Sequence, residues 1–115
     1  MQLTENQISS FKSWLKPQSS ILITNHQNPD GDAVGSATAL SGVLQKLGYS
    51  VQMIMPNDYA ENLKWMPLAH SVRFYESDTA FATAQIAASD IIIHLDYNSL
   101  KRSGPMEKAL ASSQA

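Results

Sequence analysis

Three short apolar runs constrain the fold more than any other feature of the chain: "SSILITN", "SVQMIM" and "DIIIHLD". Each is rich in β-branched residues, too short for a core helix, and separated from the next by residues with helical spacing. The first predicts a strand from Ser20 to Asn25 and the second one from Ser50 to Met55, closed by Pro56. The continuous isoleucines at Ile91 to Ile93 predict a third strand, buried on both faces as in a parallel sheet covered by helices. Between the first two runs, Val34, Ala37, Leu40, Leu44 and Leu47 share one face of a helix predicted over Ala33 to Leu47, with Gly48 ending it. Gly35, Ser36, Ala37, Ala39, Ser41 and Gly42 keep that helix slim enough to lie close to a sheet.

The remaining elements fit the same alternation. Thr4 and Gln7 form a capping box for a helix starting at Glu5, with Leu3 placed to staple onto Ile8, and Pro17 stops it. A short helix is expected from Tyr59 to Met66, a brief strand from Arg73 to Tyr75, and a helix over Thr79 to Ala88 capped by Asp78. Strand and helix in alternation predict an α/β, doubly wound (Rossmann-like), mainly parallel sheet with helices on both faces.

Length and composition exclude several classes. At 115 residues, 43% apolar and 16% charged, one domain with a single core is expected. No apolar run approaches the roughly 20 residues that span a bilayer, so no membrane partner and a cytoplasmic location are expected. The absence of cysteine removes disulfides, thiolate metal sites and cysteine nucleophiles together. A net charge of -2 gives no basic track for duplex DNA, while a small or short phosphorylated ligand fits.

Chemistry concentrates in "NHQNPDGDAVGS", at the carboxyl end of the first predicted strand and the start of the next helix. Ligands of open α/β sheets bind at this edge, and Asp96 leaves the third strand at the same edge. His26, Asp30, Asp32 and Asp96 are therefore expected to converge. Carboxylates with a neutral imidazole are the donor set of Mn²⁺, Mg²⁺ or Fe²⁺, and without a cation the crowded carboxylates would repel one another. Gly31 is expected to take positive φ and turn its two flanking aspartates apart. The helix terminus beyond would favour an anion beside the cations. An EF-hand beginning at Asn28 fails, since Ala33 and Ala39 stand where glycine and glutamate are required. The glycine patterns of dinucleotide and P-loop sites are absent. Taken alone, the Pro-Asp-Gly stretch would read as a solvated turn in which Asp32 caps a helix; His26 and Asp96 shift the balance toward a site.

"HQNPDGDAVGS" together with "HLDYNSLKRSG" resembles the first two motifs of the DHH phosphoesterase family, most closely its oligoribonuclease and adenosine-bisphosphate phosphatase branch. The resemblance implies a two-metal, usually Mn²⁺-dependent hydrolase of phosphodiesters or phosphomonoesters. His26 and Asp30 would bind one ion, Asp32 the other, and Asp96 would bridge both. Catalysis would rest on Asp30, Asp32 and Asp96, and the substrate would be a short oligoribonucleotide or a small nucleotide. The Asp-His-His triplet that names the family, a later aspartate ligand and the DHHA1 substrate domain do not occur in residues 1–115. An amino-terminal piece of a DHH domain, inactive alone and homo-oligomeric, is the resulting expectation. Two rivals remain: a silent metal- or nucleotide-binding module, and the same chemistry on cyclic dinucleotides, pyrophosphate or polyphosphate.

Other residues take secondary roles. Arg102, beside Lys101 and Lys108, is a candidate for binding substrate phosphate, because guanidinium matches phosphate geometry. His94 is read as a hydrogen-bonding neighbour of the site rather than a ligand, Asn98 as an orienter of Asp96 or a turn cap, and His70 as a surface residue. Ser36 is read as packing or capping, and Trp65 as core or interface filler.

Overall fold

In the computed structural model, which describes residues 2–115, four strands form one parallel sheet in the order β3-β2-β1-β4. They are β1 (Ser20–Thr24), β2 (Ser50–Met55), β3 (Arg73–Phe74) and β4 (Ile91–His94). The helices are α1 (Glu5–Trp14), α2 (Gly31–Lys46), α3 (Thr79–Ala88) and α4 (Glu107–Ala111), with 3₁₀ turns at Glu61–Leu63, Ala69–Ser71 and Leu100–Met106. The expected doubly wound α/β architecture is present. None of the described helices is long and apolar enough to cross a membrane.

Alternation along β1 builds a core on each face of the sheet. Ile21 and Ile23 point to one side and pack with Val34, Ala37 and Leu44 of α2 and with Met53 and Met55. Leu22 points to the other and packs with Ile54, with Ala82 and Ile86 of α3, and with Met106 and Leu110. All three β1 side chains are at most 2% exposed. Full burial of one such side chain stabilises by about 1.5–3 kcal/mol, so this strand anchors the fold.

The strand order also positions the site. The chain builds from β1 outward through β2 to β3, then returns by α3 to place β4 on the other side of β1. The chain leaving β1 enters α2 on one face, whereas the chain leaving β4 enters the Leu100–Met106 turn and α4 on the other. That divergence opens a crevice at the carboxyl ends of β1 and β4, the switch point of an open α/β sheet.

Several local expectations are corrected. Helix α2 begins at Gly31 rather than Ala33, because Asp30 is its N-cap, its side chain accepting from the Ala33 N–H at 3.0 Å. Gly31 therefore sits in a helical first turn without positive φ, and the left-handed turn falls instead on Asn28, at φ 58°. The helix stops at Lys46, leaving Leu47 67% exposed rather than on the packed face. Tyr59 to Met66 yields only one 3₁₀ turn. Pro67 disfavours helical backbone at the residue before it, and the Tyr59 hydroxyl donates to the Ala69 carbonyl at 3.0 Å. Strand β4 lies at the sheet edge, so its isoleucines are half-buried rather than covered on both faces. Asp78 makes no side-chain cap; its carboxylate pairs with Arg73. The Thr4–Gln7 capping box forms as expected, but Leu3 and Ile8 remain exposed.

Candidate metal centre

Loops from β1 and β4 bring three side chains to one point. His26 Nε2 lies 3.3 Å from Asp96 Oδ2 and 3.8 Å from Asp30 Oδ1. One ligand atom from each residue fits within 4.8 Å of the others, a spacing suited to a single cation. His26 is buried while both carboxylates face solvent. Asp32, the fourth expected ligand, lies exposed in the first turn of α2 and is not a member of this trio.

The donor set fits a divalent cation on its own chemistry. His26 Nδ1 donates to the Gln27 carbonyl at 2.8 Å, which places a proton on Nδ1 and turns Nε2 toward two carboxylates; in the neutral ring that atom carries a lone pair. Electron-rich atoms facing one another without a positive charge between them repel. A cation removes that repulsion, and the carbonyl behind the ring is the type of partner that orients ligating histidines. The Ala33 N–H holds Asp30 below the usual carboxylate range, burial opposes this, and His26 adds a smaller lowering when its ring is protonated. Asp30 is thus an anion at neutral pH.

Two further features mark the crevice. Asp96 has φ 64°, a left-handed conformation that costs a non-glycine residue about 1 kcal/mol or more and aims its carboxylate across to His26. Asn25, fully buried beside His26, has no hydrogen-bond partner for either side-chain polar atom. Unpaired buried amides are costly, so polar atoms beyond those of the chain itself suit this position. The one sequence signal for Asn25 is a polar residue directly continuing the apolar run of β1.

The surrounding residues are now placed. Arg102 carries an exposed side chain, and its carbonyl accepts from the Gln27 N–H at 2.6 Å, which ties it to the loop holding His26 and Asp30. Lys101 and Lys108 are exposed on the same segment. His94 Nδ1 pairs with the Tyr97 hydroxyl, the rings meet edge-on with centroids 5.5 Å apart, and His94 is not a member of the trio. Burial lowers the His94 pKa and raises that of Tyr97 to about 12. Asn98 and Ser36 are exposed and His70 lies on a surface turn. Trp65, read as core or interface filler, is 75% exposed.

A crystal structure of an exopolyphosphatase-related protein from Bacteroides fragilis superposes with a TM-score of 0.93 at 35% identity, covering 98% of this chain and 34% of that one. This chain thus spans about a third of the length of that relative. No curated protein matches. Residues 20–114, which include both strand ends and all of the converging ligands, match the DHH family, N-terminal domain, and the chain belongs to the DHH family.

Proposed function

We propose that the chain supplies the first half of a divalent-metal site for phosphoester hydrolysis, acting on short oligoribonucleotides or 3′,5′-adenosine bisphosphate. The observation that carries this reading is the convergence of His26, Asp30 and Asp96 at the switch point of the sheet. Mn²⁺ is the proposed ion, with Mg²⁺ as a substitute, and a cytoplasmic location belongs to the same reading. A bound divalent pair would supply Lewis acidity toward the phosphoryl oxygens and a more acidic attacking water.

The chain's own residues have distinct parts in that chemistry. His26, Asp30 and Asp96 would hold the first ion, and Asp96, projecting between the two loops, would be shared with the second. Asp32 would be the other protein ligand of that second ion. The N-terminal end of α2, through its dipole, would favour the phosphate beside the ions. Arg102, fastened by its carbonyl to the ligand loop, would bind a substrate phosphate. Three convergent ligands are too few for two ions, so these residues alone would bind metal without turnover.

One observation favours a second substrate class: the superposable relative is described as exopolyphosphatase-related, which makes phosphoanhydrides such as polyphosphate the alternative. The test is Mn²⁺-dependent hydrolysis of a short oligoribonucleotide, 3′,5′-adenosine bisphosphate and polyphosphate. It is run with this chain and with a longer form spanning the length of its relative. Turnover of the first two by the longer form, abolished by Asp96→Asn, is the expected result. Turnover of polyphosphate alone would move the assignment to the alternative, and turnover surviving Asp96→Asn would reject the site.

A further inference from the structure

The loop that carries His26 and Asp30 turns on Asn28, which lies between them at φ 58°. Asparagine visits that region more readily than most residues, but the residue that follows opposes it. Asn28 precedes Pro29, and a residue before proline is driven toward extended backbone. A left-handed residue persists only where its surroundings over-determine it.

One side chain among those surroundings contacts Asn28 twice. Asn57, just beyond the end of β2, accepts from the Asn28 N–H through Oδ1 at 2.7 Å and donates from Nδ2 to the Asn28 side-chain Oδ1 at 2.8 Å. The preceding Pro56 is buried, so the Asn57 backbone leaves a fixed base. A carboxamide is suited to this double contact because it presents an acceptor and a donor side by side. An aspartate would keep the first bond and set an anion against the Asn28 carbonyl oxygen; a serine would span only one.

We infer that Asn57 is a positioning residue for the cation site: by clasping Asn28 it presets the loop so that His26 and Asp30 point at Asp96 before any ion arrives. The inference rests on the metal reading above and extends it to a residue that touches none of the three ligands. Loss of a partner that orients metal ligands lowers affinity about 10–100-fold, and Asn57→Ala falls in that class.

The test combines Mn²⁺ titration calorimetry with amide hydrogen exchange of the metal-free protein, on the wild type, Asn57→Ala, Asn57→Asp and Asn28→Gly. Expected results are an Mn²⁺ affinity about tenfold lower or more for Asn57→Ala and faster exchange of the Asn28 amide, with exchange in β1 unchanged. Asn57→Asp should bind more weakly as well, although its added negative charge would strengthen binding if the residue acted on the ion electrostatically. In the Asn28→Gly background, where positive φ needs no support, Asn57→Ala should cost much less. Equal Mn²⁺ affinity for wild type and Asn57→Ala would overturn the positioning role while leaving the metal site intact. A wild type that binds no Mn²⁺ would reject the metal reading instead, and the Asn28 exchange rate would then decide whether Asn57 sets the loop. Unchanged exchange in Asn57→Ala overturns the inference in either case.

Discussion

His26 Nε2 faces Asp96 Oδ2 at 3.3 Å across the boundary between β1 and β4, joining the two loops that diverge from the switch point of the sheet. On the proposed metal reading the contact would couple cation binding to folding, since a ligand that binds only the native state stabilises it by RT ln(1 + [L]/Kd). Mn²⁺ in the millimolar range is therefore expected to raise the melting temperature, and EDTA to reverse the rise. Asp96→Asn, which keeps the volume and loses the anionic oxygen, should abolish the shift. A melting temperature that ignores Mn²⁺ would contradict a preformed site.

Asp30 does two jobs, and two substitutions separate them. Its Oδ1 caps α2 through the Ala33 N–H. Asp30→Ala should destabilise the metal-free protein by about 1 kcal/mol, the usual loss of an N-cap, with relief of carboxylate repulsion offsetting part of it. Asp30→Asn retains a capping oxygen and should stay close to wild-type stability in EDTA while losing most of the Mn²⁺ affinity. Asp32→Ala lacks the cap penalty and should not destabilise. Urea unfolding in EDTA, followed by Mn²⁺ titration, gives both readings; equal stability for the two Asp30 variants would remove the cap from this account.

What could be read in the sequence divides along physical lines. The strands at Ser20, Ser50 and Ile91, the Thr4 capping box and the α3 boundaries were legible because they depend on local periodicity and capping. The edge position of β4 was not. Its isoleucine run looks the same on an edge or in the middle of a sheet, and only strand order, a long-range property, distinguishes them. The trio His26, Asp30 and Asp96 was anticipated from strand ends. The cap was shifted by two residues because Asp30 and Asp32 are equally good N-caps in isolation, and the turn at Asn28 selects between them. Asn57 was invisible, since its partner is distant in sequence and its role is a reciprocal bond.

Gly104 is the second fixed point of the ligand loop. It sits at φ 57°, ψ -120°, a region essentially restricted to glycine, and an added Cβ would lie 2.6 Å from the Gln27 side-chain carbon Cδ. Gly104→Ala should cost about 1–3 kcal/mol, chiefly through backbone strain, because the flexible Gln27 side chain can swing aside. Gln27→Ala added to it should therefore restore little. Recovery of most of the lost stability in the double variant, measured by denaturant midpoint, would assign the cost to the steric contact instead.

Acid should weaken the ion pair of Asp58 with Lys64. The Asp58 carboxylate accepts from Lys64, whose ammonium also lies 3.9 Å from the centre of the Tyr59 ring, and this partner lowers the Asp58 pKa from 3.8. A carboxylate with a depressed folded pKa contributes stability above its unfolded value and loses it as pH falls through the folded one. The pair is largely exposed, so under about 1 kcal/mol is at stake. The stability difference between wild type and Asp58→Asn should be constant above about pH 5 and shrink toward zero as pH drops below 4. A difference that grows in acid would reverse the sign of the coupling.

The last prediction concerns self-association. Strand β4 pairs with β1 on one side only, leaving the other edge of the sheet without a strand among the described residues. Beside it, Trp14 of α1 and Ile91 of β4 line one cavity, and Trp14, Phe11 and Leu3 are 65%, 41% and 63% exposed. Unpaired strand edges and contiguous apolar patches gain by association, because backbone groups find partners and apolar area leaves water. Light scattering should show a concentration-dependent rise above the monomer mass of 12.6 kDa. Trp14→Glu places a charge in the patch without touching a buried side chain, since α1 buries none, and should shift the protein toward monomer with its circular dichroism unchanged. A wild type that remains monomeric at high concentration would show that the edge and the patch do not associate in solution, and an oligomer untouched by Trp14→Glu would move the contact away from α1.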